Sequence, residues 1–270
     1  MAEHRAAVLG KPVAHSLSPA LHNAGYTASG LFDWSYTAIE CAEAELPDLV
    51  GQLGPEWAGL SLTMPLKEVA LVVADECTPV ATAIGAANTL VRLPDGSWRA
   101  DNTDAPGMVD ALTAAGAKGI KSVAVLGAGG TSRAAIAAAS ALGVAGVRVF
   151  ARRREAVDAM RPAAEQLSVT LAWVDWARAD ECAAADLVIS TVPKGATDAL
   201  APAWRRSSIL FDAIYDPWPT PLAAGAAAAG CAIVSGLDLL LYQAARQFAM
   251  FTGTAAPLDA MRAGLAHARG

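Results

Sequence analysis

Gly127-Ala128-Gly129-Gly130-Thr131 follows the apolar run 122–126 and leads into the alanine-rich segment 133–142. Strand, glycine turn and helix are the context a phosphate-cradling loop requires. Backbone N–H groups and the positive end of the helix dipole then face the phosphates. The third glycine position of the usual fingerprint holds Ser132. The next strand, 147–150, ends in Ala151 followed by Arg152, Arg153 and Arg154. A dinucleotide site that prefers NAD ends this strand with Asp or Glu, which binds the ribose 2′-hydroxyl. Three cations at a helix start oppose the helix dipole and need a reason. A 2′-phosphate supplies one, because guanidinium forks match phosphate oxygens. The residues therefore favour NADP over the plainer alternative of a solvated basic turn.

Four further clusters carry more polar chemistry than a fold needs. Ser16 and Ser18 follow the first strand, at the carboxyl end where α/β sheets bind ligands. Ser18-Pro19 reads as a helix start, with Ser18 as N-cap, whereas Ser16 has no such structural task. Ser61-Leu62-Thr63-Met64-Pro65-Leu66-Lys67 ends another strand. Pro65 is expected to open the next helix, putting Lys67 in its first turn, where the dipole disfavours a cation and lowers its pKa. Such a lysine is either a proton donor and acceptor or an ordinary surface residue. Asn88 and Thr89 open a hairpin across Pro94-Asp95-Gly96. Asp104, in Asn102-Thr103-Asp104, either caps the following helix or pairs with Lys67.

The elements that must position these groups alternate between strand and helix. Strands are expected at 5–9, 34–40 and 57–62, with helices at 18–29 and near 43–52. Segments 86–93 and 97–100 form the hairpin. From 122 onward, strand candidates are 122–126, 147–150, 169–173, 186–190, 208–212 and 231–234, the pattern of a dinucleotide-binding unit. Helices at 237–252 and 257–268 are expected to return to the first domain. The fold class is α/β with two domains, 1–103 plus 237–270 and 104–236.

Composition narrows the function classes. The 270 residues carry a net charge of −6, from 20 basic and 26 acidic side chains. No basic stripe interleaves with aromatics, so nucleic acid is not an expected partner. The longest weakly polar stretch, 134–147, is too short to span a bilayer. Gly10-Lys11-Pro12 comes too early for a signal peptide. Cys41, Cys77, Cys182 and Cys231 lack metal-ligand spacing and read as buried thiols in a reducing compartment, so no metal is expected and the localisation is cytoplasmic.

Taken in order, the clusters resemble the shikimate dehydrogenase family, nearly end to end. The resemblance rests on Gly10-Lys11-Pro12 through His15-Ser16-Leu17-Ser18-Pro19 and His22-Asn23, then the lysine motif 61–67. Ala87-Asn88-Thr89-Leu90, Asn102-Thr103-Asp104, Asp212-Ala213-Ile214-Tyr215-Asp216-Pro217 and Gly236-Leu237-Asp238-Leu239-Leu240 with Gln243 complete it. It implies NADPH-dependent, reversible reduction of 3-dehydroshikimate to shikimate in aromatic amino-acid biosynthesis. It further implies an N-terminal α/β substrate domain and a Rossmann-type NADP-binding domain, with substrate in a cleft between them. Carried over, Lys67 and Asp104 are the catalytic pair. Ser16, Ser18 and Tyr215 bind the substrate carboxylate, and Thr63, Asn88 and Gln243 join the substrate site. Gly127, Ala128, Gly129, Gly130, Thr131, Arg152, Arg153, Thr191, Ile214 and Gly236 bind the cofactor.

Three departures from the family pattern stand out. Ser61 replaces the usual asparagine of the lysine motif, Arg153 replaces a threonine, and Ser190-Thr191-Val192 replaces Asn-Ala-Thr. The rival readings are a quinate or aminoshikimate dehydrogenase on the same fold and, more remotely, a non-catalytic NADP-binding sensor. A monomer and a homodimer are equally compatible with the sequence.

Overall fold

Two six-stranded sheets organise the chain. The structure, a computed structural model, describes residues 3–269. One unit comprises Met1–Thr103 and Leu240–Gly270, the other Asp104–Leu239.

In the first unit the strands are β1 (His4–Gly10), β2 (Trp34–Glu40), β3 (Trp57–Leu62), β4 (Glu76–Cys77), β5 (Thr89–Arg92) and β6 (Trp98–Asp101). Their order is β2-β1-β3-β5-β6-β4. β1 pairs in parallel with β2 and β3, whereas β3–β5 and β5–β6 are antiparallel. The expected hairpin is therefore present, closed by Gly96 at φ 90°. β1 and β3 end side by side: the Thr63 N–H donates to the Leu9 carbonyl at 2.9 Å and Lys11 N–H to the Met64 carbonyl at 3.1 Å. The loops carrying the serines and the lysine are thus stitched together. Helices Gly236–Thr252 and Leu258–Ala268 close the chain, and the latter packs on the helix Ser18–Ala28. Ala20 and Ala24 lie so close to Gly264 that a side chain there would collide with them. Leu9, Leu60, Leu66 and Leu90 form the heart of this unit's core.

In the second unit all six strand candidates are present: β7 (Val123–Leu126), β8 (Gly146–Ala151), β9 (Thr170–Asp175), β10 (Leu187–Ser190), β11 (Ile209–Asp212) and β12 (Ala232–Ser235). Each pairs in parallel with its neighbours in the order β9-β8-β7-β10-β11-β12. Read from β7, this is the doubly wound order 3-2-1-4-5-6, whose strand order reverses between β7 and β10. The central strands β7, β10 and β11 are buried at every residue and mostly apolar, as expected inside a parallel sheet, whereas the edge strand β9 alternates between buried and exposed residues. In the helix Gly130–Ala141, Ala134, Ala135 and Ala137–Ala139 are all buried, between strand β7 and the neighbouring helices.

Among the described residues no helix is long and apolar enough to cross a membrane. None of them forms a cluster able to hold a metal ion. Cys41, Cys182 and Cys231 are buried, Cys77 is half-buried, and all four are free thiols. Burial pushes the Cys182 thiol up to about 12, so it stays protonated at neutral pH.

Two local expectations are overturned. Pro65 does not open a helix. Residues 64–69 form turns, the Met64–Pro65 bond is cis, and the helix spans only Ala70–Val73. The Lys67 carbonyl accepts from Ala87 N–H at 2.7 Å, a tertiary bond that takes the place of a helical one to residue 71. Lys67 therefore lies in a turn and not in the first turn of a helix. Ser18 is not the N-cap either. Leu17 occupies that position, its own side chain makes no capping bond, and Ser18 is the first helical residue. Ser16 takes over part of the task, accepting the Ser18 N–H at 3.3 Å.

Candidate active site

In the first unit, backbone bonds gather three of the sequence clusters. Leu62 N–H donates to the Asn88 carbonyl at 2.7 Å, Ala87 N–H to Lys67 and Asn88 N–H to Asp101 at 3.1 Å. The lysine loop, the start of β5 and the end of β6 thus converge. Ser16, Thr63 and Lys67 are half-buried, and Ser18, Asn88, Thr103 and Gln243 are buried.

Asn88 has a defined orientation. Its Oδ1 accepts the Thr103 N–H at 2.8 Å, and a backbone amide can only donate. Its Nδ2 donates to Thr103 Oγ1 at 3.0 Å and lies 3.4 Å from Gln243 Oε1. The Gln243 Nε2 is tied to the Leu240 carbonyl at 2.9 Å, which leaves Oε1 facing Asn88. Asn102 is fixed by its own Nδ2, which donates to the Ala86 carbonyl at 2.9 Å. Asp104 follows Thr103 directly and begins the helix Asp104–Ala114. Such a set of amides and hydroxyls suits a small polyhydroxylated ligand, because a ligand lacking a matching hydroxyl would leave buried polar groups unpaired.

Ser61 does not join this surface. Its buried hydroxyl accepts from Tyr36 OH at 2.6 Å and donates to Gln247 Oε1 at 2.7 Å. Gln247 and Tyr36 are residues that motif reading missed. The available signal was two glutamines, 243 and 247, four apart on one face of a mostly apolar helix.

In the second unit, the loop after β7 begins with Gly127 at φ +104°, a conformation that favours glycine. A Cβ there would lie 2.9 Å from Thr191 Oγ1. Thr191 follows β10, and its hydroxyl bonds the Leu126 carbonyl at 3.0 Å and Ser132 Oγ at 2.7 Å. Ser132 Oγ in turn accepts the Gly129 N–H at 3.0 Å. The serine in the third fingerprint position thus braces the loop. Nothing lies within 4 Å of where a Cβ would stand on Gly129 or Gly130, so the helix start is bare backbone beside open space. Ala128 and Thr131 are half-buried, and Arg152, Arg153 and Arg154 are exposed after β8. This donor set fits a dinucleotide with a 2′-phosphate: a backbone cradle, no carboxylate at the end of β8 and guanidinium groups in its place.

Asp212, at the end of β11, organises the neighbouring loop. It accepts from Thr220 Oγ1 at 2.7 Å and from Ile214 N–H at 3.2 Å. Burial nonetheless raises its pKa above the usual carboxylate range. This holds Ile214 half-buried and leaves Tyr215 exposed. A side chain on Gly236 would strike the Ala213 carbonyl, so the start of the helix Gly236–Thr252 lies directly on that loop.

Comparison with known proteins agrees with this geometry. Residues 8–90 match the shikimate dehydrogenase substrate binding domain, and residues 236–264 match the shikimate 5′-dehydrogenase C-terminal domain. A shikimate dehydrogenase (NADP(+)) from Moorella thermoacetica is 37% identical over 277 residues, covering 98% of this chain and 93% of the relative. The crystal structure of a shikimate 5-dehydrogenase from Mycobacterium fortuitum superposes with a TM-score of 0.90 at 47% identity, covering 97% of each chain. The Thermus thermophilus shikimate 5-dehydrogenase, solved with NADP(H) and shikimate, has a TM-score of 0.86 at 32% identity, covering 98% of this chain and 99% of that one. The chain belongs to the shikimate dehydrogenase family.

Proposed function

We propose that the protein reduces the C3 ketone of 3-dehydroshikimate to the hydroxyl of shikimate with NADPH, reversibly, as a cytoplasmic enzyme of aromatic amino-acid biosynthesis. The observation that carries this reading is the buried Asn88–Thr103–Gln243 cluster, joined by backbone bonds to the Lys67 loop in a substrate-binding unit. It is a site built for hydroxyls beside a lysine.

NADPH, when bound, supplies the hydride. Negative charge then develops on the carbonyl oxygen, and the Lys67 ammonium stabilises it and donates the proton. In the oxidative direction the lysine amine takes that proton back. Asp104 serves as the carboxylate partner that orients the lysine for transfer. Ser16, Ser18 and Tyr215 receive the substrate carboxylate, while Thr63, Asn88 and Gln243 receive its ring oxygens. Gly127–Thr131 cradles the pyrophosphate. Arg152 and Arg153 grip the 2′-phosphate, and Thr191, Ile214 and Gly236 line the nicotinamide end.

A substrate panel tests the proposal. Shikimate, quinate and an aminoshikimate are each oxidised with NADP and with NAD under steady-state conditions. The expected result is the highest kcat/KM for shikimate with NADP. Faster turnover of quinate with NAD would overturn it, and NADPH binding without any turnover would make the protein a sensor. Size-exclusion chromatography of the same sample distinguishes monomer from homodimer.

A further inference from the structure

The polar chain that leaves Asn88 runs away from the substrate-facing residues into the core. It has a single direction of hydrogen-bond donation. The Asn88 carbonyl can only accept, and Gln247 Nε2 donates to it at 3.1 Å. That fixes the Gln247 amide: Nε2 points to β5 and Oε1 to Ser61. Ser61 therefore donates to Gln247 and accepts from Tyr36. On the other side, Gln247 Nε2 also donates to Thr89 Oγ1 at 2.9 Å. The Thr89 hydroxyl must then use its one proton on Asn88 Oδ1, at 2.8 Å. The order is Tyr36 to Ser61 to Gln247 to Thr89 to Asn88. Ser61, Thr89, Asn88 and Gln247 are all buried, with Gln247 1% exposed, so water does not substitute for a missing partner.

We infer that Gln247 is a positioning residue for the reaction: through Thr89 it locks the Asn88 amide with Oδ1 on the Thr89 side and Nδ2 on the side of Thr103 and Gln243, where the proposed function places the substrate's ring oxygens. Two independent donors, Thr89 Oγ1 and Thr103 N–H, converge on the same oxygen. An amide so held meets the substrate with its polarity already chosen, which reduces the ordering cost of binding. Loss of the Gln247 amide leaves Thr89 without its donor, frees its hydroxyl to rotate and loosens Asn88 without touching the ligand. This inference rests on the proposed function, because it assigns Asn88 to the substrate.

The test uses Gln247→Met, which keeps length but not hydrogen bonds, and Thr89→Val, which keeps shape but not the hydroxyl. Steady-state constants for shikimate and for NADP+ are measured with each variant, with the double variant and with the parent enzyme. The expected result for Gln247→Met is a rise of about tenfold in KM for shikimate, with kcat changed less than about threefold. The KM for NADP+ stays unchanged. Thr89→Val shifts KM for shikimate in the same direction, and the double variant is less impaired than the product of the singles, as expected for one chain of bonds. A lowered melting temperature with unchanged KM for shikimate would reduce Gln247 to a packing residue and overturn the inference. So would equal shifts in both KM values. If Gln247→Met does not fold, Thr89→Val decides alone by the same criteria. A parent enzyme that does not turn over shikimate refutes the proposed function instead, a distinct outcome.

Discussion

Acid should weaken this protein through one histidine before its carboxylates titrate. His22 is 0% exposed. Its ring stacks on Tyr36 with centroids 4.0 Å apart and planes 6° apart, and Tyr26, Phe248 and Phe251 surround it. Neither ring nitrogen meets a partner at bonding geometry, although Gln247 lies near enough to oppose the effect of burial weakly. Burial therefore pushes the imidazolium down from 6.5 to about 3. The unfolded chain binds a proton near its ordinary pKa that the folded chain refuses, so stability is fully present above that value and falls as pH falls toward 3. Each pH unit in that window costs about 1.4 kcal/mol. Between pH 6.5 and 5 the loss from His22 alone is about 2 kcal/mol, a large part of a typical folding free energy. Urea denaturation at pH 7, 6 and 5, followed by tryptophan fluorescence, measures it against His22→Phe, which keeps the ring stack but cannot be protonated. From pH 7 to 5 the parent should lose about 2 kcal/mol more stability than the variant. Parallel pH profiles would refute the reasoning, because they would mean that His22 is neutral or charged alike in both states.

Two substitutions test the proposed chemistry directly. Lys67→Ala should lower kcat by about 10²- to 10⁴-fold, the usual worth of a positioned proton donor, while shikimate affinity measured by calorimetry changes little. Near-normal kcat would remove Lys67 from the reaction. Arg152→Ala should weaken NADPH binding by about tenfold or more, as expected for a lost charge-assisted contact, and leave NADH binding nearly unchanged. Equal weakening of both, read by fluorescence titration, would show that the arginine does not grip the 2′-phosphate.

The second unit was the more legible in the sequence. Its central strands are buried along their whole length, so they read as short, mostly apolar runs. Val123–Leu126, Leu187–Ser190 and Ile209–Asp212 lie within or at the expected ranges. The misreadings fall where tertiary bonds override local preference. Pro65 is a good helix opener in isolation, yet Ala87 captures the Lys67 carbonyl and the turn never becomes a helix. Ser18-Pro19 carries a cap signature, but the cap position falls one residue earlier, at Leu17. Motif spacing brought Ser61 to notice as a departure without revealing its partners. Those partners, Tyr36 and Gln247, lie 25 and 186 residues away, a separation that no local pattern reports.

The first unit is assembled from two stretches of chain, with Gln243 and Gln247 supplied by the later one. During vectorial synthesis the ribosome releases β1 to β6 long before it releases the residues that orient Asn88. The intervening doubly wound unit is continuous and has all its strands in hand by Ser235. The nascent polypeptide can therefore complete its nucleotide-binding half while the other half waits, with His22 and Tyr26 still lacking the Phe248 ring that packs on them. A premature stop just before residue 240 would then yield a fragment whose second fold is intact and whose first is a sticky remnant, a substrate for chaperones rather than a half-active enzyme.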